Sequence, residues 1–122
     1  MSMLMGIDLG STTLKAVLYD LEGNVIARAS RPTEKHNPEG NPDWTVWRPE
    51  QIWGGAAAAV KKVAESLDDP SVIKAVAVTG MGLDAVPIDA EGHWLYPFIS
   101  WHDQRTLPQQ QWWLDNIGND LT

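Results

Sequence analysis

Two tight turns near the start of the chain restrict its fold more than any other feature. Residues 4–9, 14–20 and 25–30 have strand length, and Gly10-Ser11-Thr12-Thr13 and Glu22-Gly23-Asn24 join them. Connections this short fold a neighbouring strand back antiparallel, because a parallel return needs a crossover of about a dozen residues or more. Leu14, Ala16 and Leu18 alternate along the second run and give it one apolar face. The spacing therefore predicts a three-stranded antiparallel meander.

Residues beyond the third strand make the meander part of a mixed sheet. Residues 32–47, PTEKHNPEGNPDWTVW, are rich in Pro, Gly and Asn and read as a long surface connection. Pro49 suits a first helical turn, and Ile52, Ala56, Val60, Val63 and Leu67 recur at helical spacing up to Asp68-Asp69-Pro70. Residues 73–79 then form a continuous apolar run, read as a strand buried on both faces and added in parallel by a right-handed crossover. After TGMGLD, strands are predicted over 85–88 and 94–100 around the turn Asp89-Ala90-Glu91-Gly92. Thr106-Leu107-Pro108 opens a second helix carrying Trp112, Trp113 and Ile117. With one full crossover before NIGNDLT, the pattern reads as a fragment of a longer architecture.

Composition removes several classes of function. The net charge of −7, with no local cluster of Lys and Arg, argues against nucleic acid as a partner. The absence of Cys excludes disulfides and zinc-thiolate sites. The start Met1-Ser2-Met3-Leu4 lacks the features of a signal peptide, and no apolar run nears the roughly 20 residues that cross a bilayer, so a cytoplasmic setting is the default expectation. His36, His93 and His102 fall in different loops without ligand spacing. Of the 7 tryptophans, Trp44, Trp47, Trp112 and Trp113 are assigned to packing.

Asp8 inside a strand and Gly10 at its end need a reason, since strand interiors disfavour both residue types. One reading is structural, with the aspartate capping its own turn and Ser11, Thr12 and Thr13 satisfying loop amides. The other is chemical. Backbone N–H groups and hydroxyls converge beside a carboxylate, Lys15 adds a mobile positive charge, and phosphate with a divalent cation suits such a turn. In SWHDQRT, Trp101 offers a flat face for C–H stacking, with Asp103 and Arg105 as charged groups for hydroxyls. The competing reading places Trp101 in the core and pairs Asp103 with Arg105 at the surface.

GIDLGSTTLKAVLYD resembles the first phosphate motif of the sugar-kinase, actin and Hsp70 superfamily, whose domains begin with such a meander. More narrowly, this motif followed by PDWTVWRPEQIW, VAVTGMGLDAVPIDAEG and PFISWHDQRT is similar, in that order and over nearly the whole chain, to the N-terminal half of the first domain of FGGY carbohydrate kinases. The resemblance implies an α/β, ribonuclease H-like fold: a mixed sheet with an antiparallel three-stranded meander and flanking helices, here as a partial domain. Residues 1–122 would form the N-terminal portion of the first, sugar-binding domain, with the rest of that domain and the nucleotide-binding second domain outside this chain.

The activity implied for the full-length protein is ATP-dependent phosphorylation of a hydroxyl on a small sugar or polyol, a pentulose such as xylulose favoured, with ATP and Mg2+. The resemblance places Asp8 near the transferred phosphoryl and its magnesium, Thr12 and Thr13 near the phosphates in the turn they share with Gly10 and Ser11, and Lys15 beside them. On the sugar side it implies the loop Gly80-Met81-Gly82-Leu83-Asp84. Met81 replaces the usual glutamine, and Asp84 either accepts hydroxyl hydrogen bonds or is solvated. Trp101 and Asp103 would meet the sugar, with Arg105 as orienting partner. The catalytic base and adenosine site of the family lie beyond these motifs, so this chain alone is expected to be inactive. The implied partners are a small sugar or polyol and ATP, without nucleic acid or membrane, and a homo-oligomer of the full-length enzyme is compatible with them. Two alternatives stand beside this reading. One is a non-catalytic sugar- or phosphate-binding module. The other, an actin- or Hsp70-like ATPase, shares only the opening motif.

Overall fold

The structure, a computed structural model, describes residues 2–118. Strands β1 (Met3–Leu9), β2 (Thr13–Tyr19) and β3 (Val25–Pro32) form the expected meander. After the long connection come the short strand β4 (Val46–Trp47) and helix α1 (Pro49–Ala64), then β5 (Ile73–Gly80). β5 pairs with β1 in parallel, giving a mixed four-stranded sheet in the order β3-β2-β1-β5. Helix α1 starts on Pro49, with Glu50 in its first turn and Lys61 and Lys62 in its last, each charge opposing the adjacent end of the helix dipole.

The alternation of β2 decides where the core sits. Leu14, Ala16 and Leu18 face α1 and are buried. Met3, Met5, Ala16 and Leu18 pack with Ala59 and Val63 in one cluster, while Leu14, Trp47 and Ile52 form another near the end of β1. Gly55 lets α1 approach closely, since a Cβ there would lie 2.5 Å from Leu14 Cδ1. The opposite face of the sheet carries Gly6, Asp8, Lys15 and Val17.

Three expectations change. The 73–79 run does form a parallel strand, yet it is not buried on both faces: Val76 and Val78 are 56% and 63% exposed. Helix α1 lies over β2 and β3 and leaves β5 at the sheet edge. Strands over 85–88 and 94–100 shrink to β6 (Phe98–Ile99), which pairs with β4, and to single bridges from Ala85 to Ile99 and from Ile88 to Trp94. Pro87 and Pro97 interrupt these runs, and a proline cannot donate to a ladder. Helix α2 (Leu107–Asn116) forms as expected, but Trp112 and Trp113 are exposed rather than packed. Trp47 is fully buried, as assigned, and Trp44 partly so.

One turn design occurs twice. The Asp20 carboxylate accepts the backbone N–H groups of Glu22 and Asn24, and the Asp89 carboxylate accepts those of Glu91 and His93. Gly23 and Gly92 then take positive φ, at 88° and 86°. The three histidines do lie apart, as expected, while this turn gathers His93 with Asp89 and Glu91. Its geometry is that of a self-capped turn, in which His93 Nδ1 lies 2.9 Å from Asp89 Oδ2.

Candidate functional site

Parallel pairing of β1 with β5 sets Leu9 beside Gly80, so the turn 10–13 and the loop 80–84 leave the same end of the sheet. Open α/β sheets bind ligands beyond the carboxyl ends of their parallel strands. Asp8 sits there between two cross-strand neighbours, Lys15 on β2 and Thr79 on β5. Lys15 Nζ lies 3.5 Å from Asp8 Oδ2, and both side chains are about half exposed. Such a pair is loose enough for either charge to turn to a ligand. Gly6, Asp8, Lys15, Val17, Tyr19 and Thr79 line a shallow cleft of about 380 Å³ on the face opposite α1.

Gly10 is required by its neighbours. A Cβ there would meet Thr13 O at 2.7 Å and both Asp8 carboxylate oxygens at 3.6 Å. The turn is also stapled from outside. Thr33 Oγ1 donates to Gly10 O at 2.7 Å, and Thr33 N donates to Thr12 O at 2.9 Å. The backbone of 10–13 is thereby held close over the Asp8 carboxylate. A carboxylate, three hydroxyls and a turn without side-chain bulk at Gly10 form a donor set that suits a hydrated magnesium ion and phosphate oxygens.

The loop side is built on two other carboxylates. Asp84 Oδ2 accepts Trp47 Nε1–H at 2.6 Å, and Asp84 Oδ1 accepts the backbone N–H of Trp101 at 2.9 Å. Asp103 is more enclosed, with its side chain 2% exposed. Its Oδ1 accepts from Arg105 N and Nε at 2.9 and 2.8 Å, and its Oδ2 accepts from Thr45 N and Arg105 Nη2 at 2.7 and 2.8 Å. The bidentate Arg105 guanidinium, helped by those backbone donors, holds the Asp103 carboxyl below the usual carboxylate range, and the same contact raises Arg105 above its ordinary value. Arg105 also lies 4.3 Å over the Trp44 ring and donates to Tyr96 OH at 3.3 Å. Trp101 projects 58% exposed, its ring stacked on His102 at 3.7 Å.

The structure thus gathers Asp8, Gly10, Ser11, Thr12, Thr13 and Lys15 at the end of β1 and joins Asp84 to Trp101 across two loops. Asp103 and Arg105 form a clamp on the connection before β4. Met81 packs against the cluster of Leu14, Trp47 and Ile52 and, with Thr79 and Asp84, lines a second cleft at the end of β5. Thr33, Thr45, Thr79 and Tyr96 enter the site without having been singled out in the sequence. Trp47 had been assigned to packing alone. A buried indole N–H needs an acceptor, so its partner was the signal to look for.

No helix among the described residues is long and apolar enough to cross a membrane. Comparison with known proteins converges on one group. The profile described as the FGGY family of carbohydrate kinases, N-terminal domain, matches residues 3–121. An L-fuculokinase of Salmonella typhi is 31% identical over 103 residues, which are 84% of this chain and 22% of that protein. A glycerol kinase of Citrifermentans bemidjiense is 38% identical over 108 residues, 87% of this chain and 21% of that protein. Among solved structures, the xylulose kinase from Rhodospirillum rubrum superposes with a TM-score of 0.77 at 30% identity, covering 94% of this chain and 24% of that one. These neighbours are sugar kinases of the actin, Hsp70 and ribonuclease H-like fold, of which the mixed sheet here is a partial domain. The chain spans about a fifth of the length of the relatives it matches, and it belongs to the FGGY family of carbohydrate kinases.

Proposed function

We propose that this chain is the N-terminal portion of the sugar-binding domain of an ATP-dependent kinase acting on a small sugar or polyol, in a cytoplasmic setting. A pentulose such as xylulose is the favoured acceptor, with L-fuculose and glycerol as the competitors suggested by the relatives. The observation that carries the reading is the placement of the Asp8 turn and the loop 80–84 at one end of the sheet. Phosphoryl transfer depends mostly on positioning and charge stabilisation, which is what groups converging from two loops supply.

Within that reading, bound ATP and Mg2+ supply the phosphoryl group and the charge that neutralises it during transfer. Asp8 would hold the hydrated metal. The Gly10 to Thr13 backbone and hydroxyls would bind phosphate oxygens, and Lys15 would swing from Asp8 to the phosphate. Trp101 would stack on the C–H face of the sugar, and Asp103 with Arg105 would keep the loop 100–105 in place. The catalytic base and the adenosine site are assigned to the rest of the full-length protein, so residues 1–122 alone are expected not to turn over.

A coupled assay of ADP release by the full-length protein, run with xylulose, L-fuculose and glycerol, tests the proposal. Asp8→Ala is expected to lower kcat/KM by at least about a hundredfold for the preferred substrate. No turnover with any acceptor would overturn it. The second reading, a module that binds sugar or phosphate without transferring it, draws on the inward packing of Met81 and the internal engagement of Asp103. Saturable sugar binding without ADP release would favour it.

A further inference from the structure

Asp84 stands between a fixed tryptophan and a projecting one. Trp47 is 0% exposed and wedged with Leu14 and Ile52 against the core, whereas Trp101 is 58% exposed on a loop that buries Ser100 and the Asp103 carboxylate but no apolar side chain. The stack of Trp101 on His102 is locked internally: Ser100 Oγ accepts the His102 backbone N–H at 3.1 Å and lies 3.1 Å from His102 Nδ1. Those contacts shape the stack without fixing it to the sheet. Ser100 N, bonded to Thr45 O at 3.0 Å, and the Asp103 clamp on Thr45 tie the loop on either side, and the hydrogen bonds of Asp84 make the link at Trp101 itself, from the Trp47 indole to the Trp101 amide.

We propose that Asp84 is a positioning residue that sets the Trp101 face relative to the end of β1 and β5 by bridging Trp47 Nε1–H and the Trp101 N–H. This rests on the kinase reading for its effect on substrate, but the bridge itself does not. Each carboxylate oxygen holds one N–H at short distance, which fixes the orientation of the group while leaving each oxygen one further acceptor position. Its neighbour Leu83 is 88% exposed and adds no anchorage, so between β5 and the Ala85–Ile99 bridge the carboxylate and the packed Met81 are what hold the loop 80–84. An amide at position 84 would keep one acceptor and turn an NH2 toward the other N–H, breaking half of the bridge.

The test compares Asp84→Asn, Trp47→Phe and the double variant in the full-length protein. Amide exchange at Trp101 is followed beside sugar KM and kcat. Bridging predicts that Asp84→Asn speeds Trp101 exchange by about tenfold or more and raises sugar KM by a similar factor, with kcat changed by less than about threefold. Trp47→Phe, which leaves the carboxylate in place, should raise KM in the same direction, and the double variant should fall short of the product of the two. Unchanged exchange at Trp101 in Asp84→Asn overturns the proposal. So does faster exchange with unchanged KM. A raised KM with Trp101 still protected also overturns it and makes Asp84 a direct sugar contact. If the unmutated protein phosphorylates none of the three acceptors, the kinase reading falls, and exchange at Trp101 still decides whether the bridge exists.

Discussion

The two halves of this chain are held by different forces. From Met3 to Val63, apolar side chains close on one another beneath α1, and every buried apolar residue among those described lies in this stretch. From Gly80 onward only Ser100 among the described residues is buried as a whole, beside the enclosed Asp103 carboxylate, and α2 buries none of its residues. The second half takes its shape from carboxylates that accept N–H groups: Asp84 from Trp47 and Trp101, Asp89 from Glu91 and His93, Asp103 from Thr45 and Arg105. A sheet and helix position the candidate phosphate turn on packed ground, while the candidate sugar loops depend on a few charged acceptors. Changing substrate preference by altering loops is therefore compatible with an unchanged scaffold.

The comparison predicts responses of different size. Leu18→Ala, at a side chain with no exposure, should lower global stability by about 2–5 kcal/mol, seen as a fall in the urea midpoint of the 122-residue chain. Loss confined to the loops would show that burial does not hold the first half. Asp103→Ala should cost about 1.5–3 kcal/mol, because Arg105 and the Thr45 amide lose their acceptor. The accompanying rise in exchange should be confined to the connection before β4 and the loop 100–105, and a rise spread over β1 and β2 would break the division.

Acid should act on the same side. The Asp103 pKa is depressed in the folded state, chiefly by Arg105, so its stabilisation is complete above the unfolded carboxylate value of about 3.9 and is lost as pH falls through the folded value below it. Protection factors, which remove the intrinsic slowing of exchange in acid, should therefore fall at Thr45 and Arg105 before they fall at Leu18 as the pH is taken below about 3.9; a simultaneous fall would argue against the comparison. At the small end, Trp112→Ser, at a 59% exposed position, should shift the stability of this chain by no more than about 0.5 kcal/mol.

How much could be read from the sequence depends on the range of the contacts. The meander, α1 and the Asp8 turn rest on periodicity and turn residues a few positions apart, and they appear where alternation and glycine placement put them. The pairing of Asp8 with Lys15 follows from the same hairpin register. By contrast, the largely apolar run 73–79, broken only by Lys74 before Thr79, reads much alike whether or not its faces are covered, because coverage depends on where α1 lands. Asp84 could be picked out as a loop carboxylate, but its acceptance from Trp47 joins distant positions that no local pattern connects. The inward turn of Met81 was likewise hidden, since a methionine in a loop suits packing and exposure equally.

The pairing of Met3 with Ile73 has a consequence for the order in which the chain assembles. β1, β2 and β3 meet through neighbouring turns, but β5 reaches β1 only after the whole intervening segment, α1 included, has been gathered. Closing so long a loop is repaid late, so on a growing chain the Asp8 turn is expected to form before the loop 80–84 has a sheet edge to join. Pulse-labelled exchange during refolding should then protect Val17 earlier than Val78, and reversed order would mean that the long-range pairing nucleates the fold. The half of the site aimed at phosphate would exist first, and the half aimed at sugar would be fitted to it.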